Sequence, residues 1–347
     1  MGGDANDIFI MLPKTLKHGK RVSRNSSAGM TPAKRLMDNR DWLIKHLTPL
    51  MEMGRKVNEH DKSLPVRPPT YDKGYWTALK LITVRYYMPG YLNILAPRMK
   101  VAYVDLFAGP GLNLIGDPPI PVPGSPLLPW AIEGTAHQFD SVILCEKKVE
   151  YADALENRVA EYDSSSAVLI YQGDANDLII QLPLILKERS IRHSLVFIDP
   201  EGLDFWFSSL EELLDSVNCD VIINFPSMGI TRNLNTPNPE TALTVRRFLG
   251  MNETERLPQN EEAALEFYRS KLAALGKDVS TEIAVRAGDS QFHYHLIPAV
   301  KSTRGGSPWF RILQDAKRRI ERLGGDAVRI IAAQIEGKQK SIDARFE

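Results

Sequence analysis

Four acidic residues follow four apolar runs in this chain: Asp105 after "VAYV", Glu146 after "SVILC", Asp174 at the end of "AVLIYQGD" and Asp199 after "SLVFI". Apolar, β-branched runs of this length suit strands covered on both faces. A carboxylate at the carboxyl end of such a strand stands where open parallel sheets bind ligands, beside the point where strand order reverses. Asp105 opens "DLFAGPG", in which Gly109 and Gly111 permit a turn with bare backbone amides, flanked by Phe107 and Pro110. Asp199 precedes Pro200, whose ring fixes φ and removes an amide donor, leaving carboxylate and carbonyls as acceptors. Such acceptors hold an exocyclic amine and turn its lone pair toward an electrophile. Taken singly, each acid reads equally well as a helix N-cap.

Taken in order, they meet the needs of an adenosine with a charged amino-acid tail. Asp105 with Gly109 and Gly111, then Glu146, then Asp174 with the Ala175 amide supply an open backbone, a ribose carboxylate and a polar group for the adenine edge. These are the requirements of S-adenosyl-L-methionine. Around the Asp199-Pro200 pair, Glu201, Asn224, Arg232 and Asn233 are candidates to face a methyl acceptor or its phosphates, and Phe205 or Trp206 to stack on a flipped base.

"DLFAGPG", the acidic end of the second strand, "GDAND" and "FIDPEG" resemble the successive motifs of class I S-adenosylmethionine-dependent methyltransferases. More narrowly, "ALKLITVRYY" before "YVDLFAGPG", then "GSPLL", "FIDPEGL" and "NFP" with a later "RN", resemble the three-Cys-motif partner protein family, TcmP, over approximately residues 71 to 310. The chain departs from that family's pattern at Glu201, where an aromatic residue usually follows Asp-Pro. "DPEG" itself is similar to the Asp-Pro-Pro-Tyr and Asp-Pro-Phe-Gly variants of base-amino methyltransferases. The resemblance implies a Rossmann-like fold and S-adenosyl-L-methionine as cofactor. It also implies an N-methyltransferase acting on a nucleic-acid base amino group in RNA or DNA, in a mobile-element or phage-defence setting. It equally implies pairing with a protein that bears a three-cysteine motif. The alternative is a catalytically silent subunit of the same fold that binds a protein partner or nucleic acid.

Positioning these residues takes an α/β architecture. The runs at 101–105, 141–147, 167–174, 194–200 and 220–226 alternate with helical stretches as five strand-then-helix units, which implies a parallel sheet between helices. The expected fold is a seven-stranded, mostly parallel sheet with helices on both faces, a helical insertion at about 235–280 and an N-terminal extension. "YWTALKLITVRYYMPG" predicts a helix ending at Pro89-Gly90, "TEIAVRAGDSQFHYHLIPAVKS" a hairpin turning at Gly288-Asp289, and "SPWFRILQDAKRRIERLG" a final helix capped by Ser307 with Pro308 first. "NLIGDPPIPVPG" reads as a semi-rigid lid over the site or as a surface loop. The divisions are a basic, partly flexible extension over 1–65, a core over 66–305 whose structure starts near Tyr75, and a C-terminal helical segment over 306–347.

Bulk properties narrow the classes. The 347 residues carry 43 lysines and arginines against 43 aspartates and glutamates, so attraction to nucleic acid must come from local patches. Between Met11 and Arg35 there are seven lysines and arginines and no acid. With Arg246, Arg247 and the arginines of the last helix, these form a candidate phosphate-tracking surface. Cys145 and Cys219 lie in separate apolar runs and read as packing residues in a cytoplasmic protein without disulfides. No apolar run reaches membrane-spanning length. Glu201 stands where a cytosine-C5 enzyme needs its nucleophilic cysteine, and Leu114 where a nicotinamide fold wants a third small residue. There is no Gly-Lys-Ser/Thr phosphate loop, and the alternating His293 and His295 read as a half-buried pair on a strand rather than as metal ligands.

Overall fold

A computed structural model describes residues 32–163, 167–288, 292–302 and 310–337. The basic residues before position 32, the turn residue Asp289, the Ser307-Pro308-Trp309 start of the last expected helix and the tail beyond 337 lie outside the described residues.

The described chain begins with α1 (Pro32–Ser63), a short strand β1 (Tyr71–Lys73) and α2 (Thr77–Leu95). α2 does not stop at Pro89. Met88, Tyr91 and Leu92 are buried on either side of the proline, and this packing carries the helix through a missing amide and a glycine. After β2 (Val101–Asp105) the chain makes no helix. It forms the hairpin β3 (Leu112–Ile115) and β4 (Ile120–Pro123), then a 3-10 turn at Ser125–Ala131. Regular alternation follows through β5 (Ser141–Glu146), α3 (Val149–Ala160), β6 (Val168–Gln172), α4 (Ala175–Glu188), β7 (His193–Ile198), α5 (Phe207–Ser216) and β8 (Cys219–Phe225). Three helices come next, α6 (Ser227–Asn233), α7 (Pro239–Leu249) and α8 (Glu261–Ala274), the last two starting at Asn238 and Asn260 N-caps. The chain closes with β9 (Val279–Ser280), β10 (Ile283–Arg286), β11 (His293–Val300), α9 (Phe310–Ile320) and α10 (Gly325–Ile335).

The large sheet runs in the order β10-β11-β8-β7-β2-β5-β6, with β9 added beside β11. β2 pairs in parallel with β5 and β7, β5 with β6, and β7 with β8, whereas β11 runs antiparallel to β8, β9 and β10. The chain steps outward from β2 through β5 to β6, then restarts on the other side at β7. The switch point therefore lies between β2 and β7.

Alternate residues of the strands feed two cores. Val101 and Tyr103 of β2 face the layer containing α1, α2, α9 and α10, while Ala102 and Val104 face that of α4, α5, α7 and α8. The expected final helix appears as an amphipathic α9, with Leu313, Ala316 and Ile320 buried.

Two expectations need correction. The folded core does not wait for Tyr75: Leu43, Leu47, Leu50 and Met51 of α1 are fully buried in the same cluster as α2. The proline-rich stretch after Gly111 is neither lid nor surface loop. Its strands pair in the register Leu112↔Pro123 to Ile115↔Ile120, β1 joins β3 in parallel, and Ile115 and Val122 are fully buried. α1 lies on this small sheet so closely that a Cβ at Gly54 would come 2.2 Å from the Pro121 carbonyl oxygen.

Candidate active site

At the carboxyl ends of the parallel strands, beside the switch point, lies a cleft of about 360 Å³. The loop after β2 forms one wall. Gly109 has φ of +63°, a left-handed conformation that glycine tolerates and other residues rarely adopt. Its amide donates to Glu146 Oε2 (2.8 Å), and the Lys148 amide donates to Oε1 (2.8 Å). The acid at the end of β5 is thereby fixed against the glycine loop. Asp174 caps α4 by accepting from the Asn176 amide (2.9 Å) and pairs with Lys147 (2.9 Å). Lys147 and this cap hold the Asp174 carboxyl below its ordinary range against a smaller-than-their-sum but individually largest opposing effect, burial.

The second wall belongs to β7, β8 and β11. Asp199 is ion-paired with Lys80 of α2, and its Oδ1 accepts from Asn224 Nδ2 (2.6 Å). Pro200 and Glu201 line the same wall, and Glu201 reaches Lys73 (3.4 Å). Tyr294 of β11 also lines this wall, with Lys80 5.7 Å from its ring centre. The structure thus brings Phe107, Pro110, Gly111, Glu146, Asp174 and Ala175 to the cleft together with Asp199, Pro200, Glu201 and Asn224.

Other expected site residues are placed elsewhere. Asp105 is fully buried beneath the cleft: it accepts from the Phe107 amide (3.2 Å) and the Tyr103 hydroxyl (3.4 Å). Burial, above all, pushes its carboxyl up to about 7. It shapes the turn rather than facing a ligand. Phe205 is 2 % exposed, in edge contact with Phe107, and so is a core residue rather than a stacking platform. Arg232 opens onto a second groove with Glu261, Glu262 and His293, while Asn233 donates back to the Gly229 carbonyl within α6 (2.7 Å). In that groove His293 and His295 share Glu261, at 2.9 and 3.2 Å. Of the candidate phosphate-binding arginines, Arg318 and Arg319 pair with Asp315, and Arg246 donates to the Glu255 carbonyl.

Three residues that the sequence reading missed complete the site. Lys80 was readable as one of two charges, with Arg85, inside an apolar helical run, and Tyr294 as the residue alternating with the two histidines on a strand. Arg158 of α3 gave no sequence signal. It is buried, donates to the Pro110 carbonyl of the glycine loop, and is neutralised by Asp61 of α1 (2.6 Å).

Among the described residues, no cluster of His, Cys, Asp or Glu is arranged to hold a metal ion, and no helix is long and apolar enough to cross a membrane.

No protein-family model matches the chain, and no curated protein matches it significantly. Solved structures similar to it include a Legionella pneumophila protein (12 % identity, TM-score 0.43, covering 72 % of this chain and 93 % of that one). Trm1 of Pyrococcus horikoshii, in complex with S-adenosyl-L-methionine, is 13 % identical with a TM-score of 0.38 over 69 % of this chain and 58 % of its own. The O-methyltransferase TomG of Streptomyces achromogenes, also in complex with that molecule, is 15 % identical with a TM-score of 0.40 over 72 % and 90 %. The strand order itself gives the architecture. It is the Rossmann-like fold of class I methyltransferases, with one reversed strand, β11, set between β8 and β10.

Proposed function

We propose that the cleft binds S-adenosyl-L-methionine and that the protein is a methyltransferase acting on an amino group of a nucleic-acid base. One observation carries this reading: the Gly109 loop, Glu146, the Asp174 cap and the Asp199-Pro200 pair converge on a single cleft at the switch point. These residues fit the cofactor. Each Glu146 oxygen holds one backbone amide and keeps acceptor capacity for a ribose hydroxyl. Asp174 and the backbone of Ala175, at the start of α4, line the cleft and would hold the adenine edge. Pro110 and Gly111 line the cleft, and there the amino-acid tail would approach the main chain.

When bound, S-adenosyl-L-methionine supplies an electrophilic methyl group. The protein supplies placement. Asp199 and the Pro200 carbonyl accept hydrogen bonds from the amine and aim its lone pair, and Asp199 is placed to take the proton the nitrogen sheds. A nucleic-acid acceptor is supported by the rim, where Lys73, Lys147 and Lys148 stand beside Tyr71 and Trp76, a mixture of cations and rings suited to phosphates and bases.

The test combines thermal shift with S-adenosylhomocysteine and tritiated methyl transfer into total RNA and DNA, with wild type and Asp199→Ala. Stabilisation of both proteins, with label only from the wild type, is the expected result. Absence of stabilisation at millimolar ligand overturns the cofactor assignment, and label persisting in the variant removes Asp199 from its role. Stabilisation without label favours the alternative, a silent subunit serving a protein or nucleic-acid partner.

A further inference from the structure

At the acceptor end of the cleft two buried polar atoms have no hydrogen-bond partner in the protein. Asn224 Nδ2 donates to Asp199, and because a carboxylate only accepts, this bond fixes the amide's orientation. Asn224 Oδ1 is left buried and unpaired, as is the Tyr294 hydroxyl. Both residues are more than nine-tenths buried, and both line the cleft beside Asp199. Native proteins pair their buried polar groups, so an orphan at a cleft wall marks a place for a ligand atom. Lys80 completes the group, ion-paired with Asp199 Oδ2 and 5.7 Å from the centre of the Tyr294 ring.

We propose that Asn224, Tyr294 and Lys80 select the methyl acceptor, admitting a neutral planar amine that carries a hydrogen-bond acceptor nearby and rejecting alkylammonium groups such as protein lysines. This rests on the methyltransferase reading above and names the chemistry of its substrate. Asn224 Oδ1 takes a hydrogen from the incoming group. Tyr294 gives one: burial, and then the charge of Asp199, hold its hydroxyl protonated far above the ordinary range. One donor beside one acceptor on a rigid plane is the edge of an amino-bearing heteroaromatic base. A lysine side chain offers no acceptor to Tyr294. Its charge would also have to enter beside the Lys80 ammonium, which already neutralises Asp199.

The experiment uses the full chain with tritiated S-adenosyl-L-methionine. It offers single-stranded homopolymers of adenine, cytosine, guanine and thymine and, separately, poly-lysine, and measures S-adenosylhomocysteine binding calorimetrically for each variant. Wild type is expected to label at least one amino-bearing homopolymer but neither the thymine polymer, which has no exocyclic amine, nor poly-lysine. Tyr294→Phe should keep its melting temperature and S-adenosylhomocysteine affinity while kcat/KM for the homopolymer falls about tenfold, the worth of one hydrogen bond. Lys80→Met should gain label in poly-lysine. Unchanged kcat/KM in Tyr294→Phe, or poly-lysine labelled by the wild type, overturns the inference and leaves the methyltransferase reading standing. A wild type that fails to bind S-adenosylhomocysteine, or binds it and labels nothing, overturns both.

Discussion

Asp105 shows how much the surroundings of one carboxyl decide. It closes its strand as Glu146 and Asp199 close theirs, yet Tyr103 and the Phe107 amide enclose it, and burial raises it to about 7 from an ordinary 3.8. A carboxyl raised on folding contributes full stability below its unfolded value, and that contribution is lost as pH climbs toward the folded one. Asp105→Asn keeps an acceptor for the Phe107 amide and removes the charge. Its stability relative to wild type should therefore rise from about pH 4 to pH 7 and then level off, as measured by urea denaturation across that range. A flat difference would show that Asp105 is not the titrating group. Strand-end position was legible in the sequence for all four acids. Which of them face the cleft was not, because that depends on Tyr103, which lies two residues back on the strand, and on how the turn folds over. At Gly109 the expected turn is present, but its amide is taken by Glu146 Oε2 and the Tyr71 ring stands against it, so the glycine shapes the wall without lining the cleft. Gly109→Ala would place a Cβ 2.8 Å from the Tyr71 ring in a left-handed backbone, at a cost of about 1–2 kcal/mol, and should weaken S-adenosylhomocysteine binding in calorimetry.

Among the elements, α1 and the β3–β4 hairpin concealed one another. Leu43, Leu47 and Leu50 recur at helical spacing, but an apolar stripe does not name its partner, and the partner was a proline-rich segment that read as a loop. Pro121 and Pro123 are tolerated because β4 is an edge strand, paired only to β3. Pro89 misled in the opposite direction, since burial on both sides of it carries α2 onward. Four of the five parallel strands, β2, β5, β7 and β8, were legible because double-sided burial leaves uninterrupted apolar runs, and β6, a half-buried edge strand, was legible from its β-branched and aromatic residues. α1 also reaches the site: Asp61 neutralises Arg158, and Arg158 holds the Pro110 carbonyl. Asp61→Asn leaves a buried guanidinium without its counter-charge and should cost about 3–5 kcal/mol in denaturant unfolding. A loss below 1 kcal/mol would mean that water reaches Arg158.

For the molecule as a whole, α1 is part of the fold. Four of its side chains, Leu43, Leu47, Leu50 and Met51, are fully buried, and each contributes about 1.5–3 kcal/mol relative to exposure. A chain shortened to residues 64–347 should lose near-ultraviolet circular dichroism and cooperative melting. Retention of both would place α1 outside the cooperative unit. The restart of the chain between β2 and β7 also draws a seam through the cleft. On one bank the β2, β5 and β6 ends carry the glycine loop and its acids, and on the other the β7, β8 and β11 ends carry Asp199, Asn224 and Tyr294. On the reading proposed above, substitutions on the second bank would redirect the choice of target while the first stays intact. This scaffold can therefore evolve new specificities without rebuilding the machinery that all of them share.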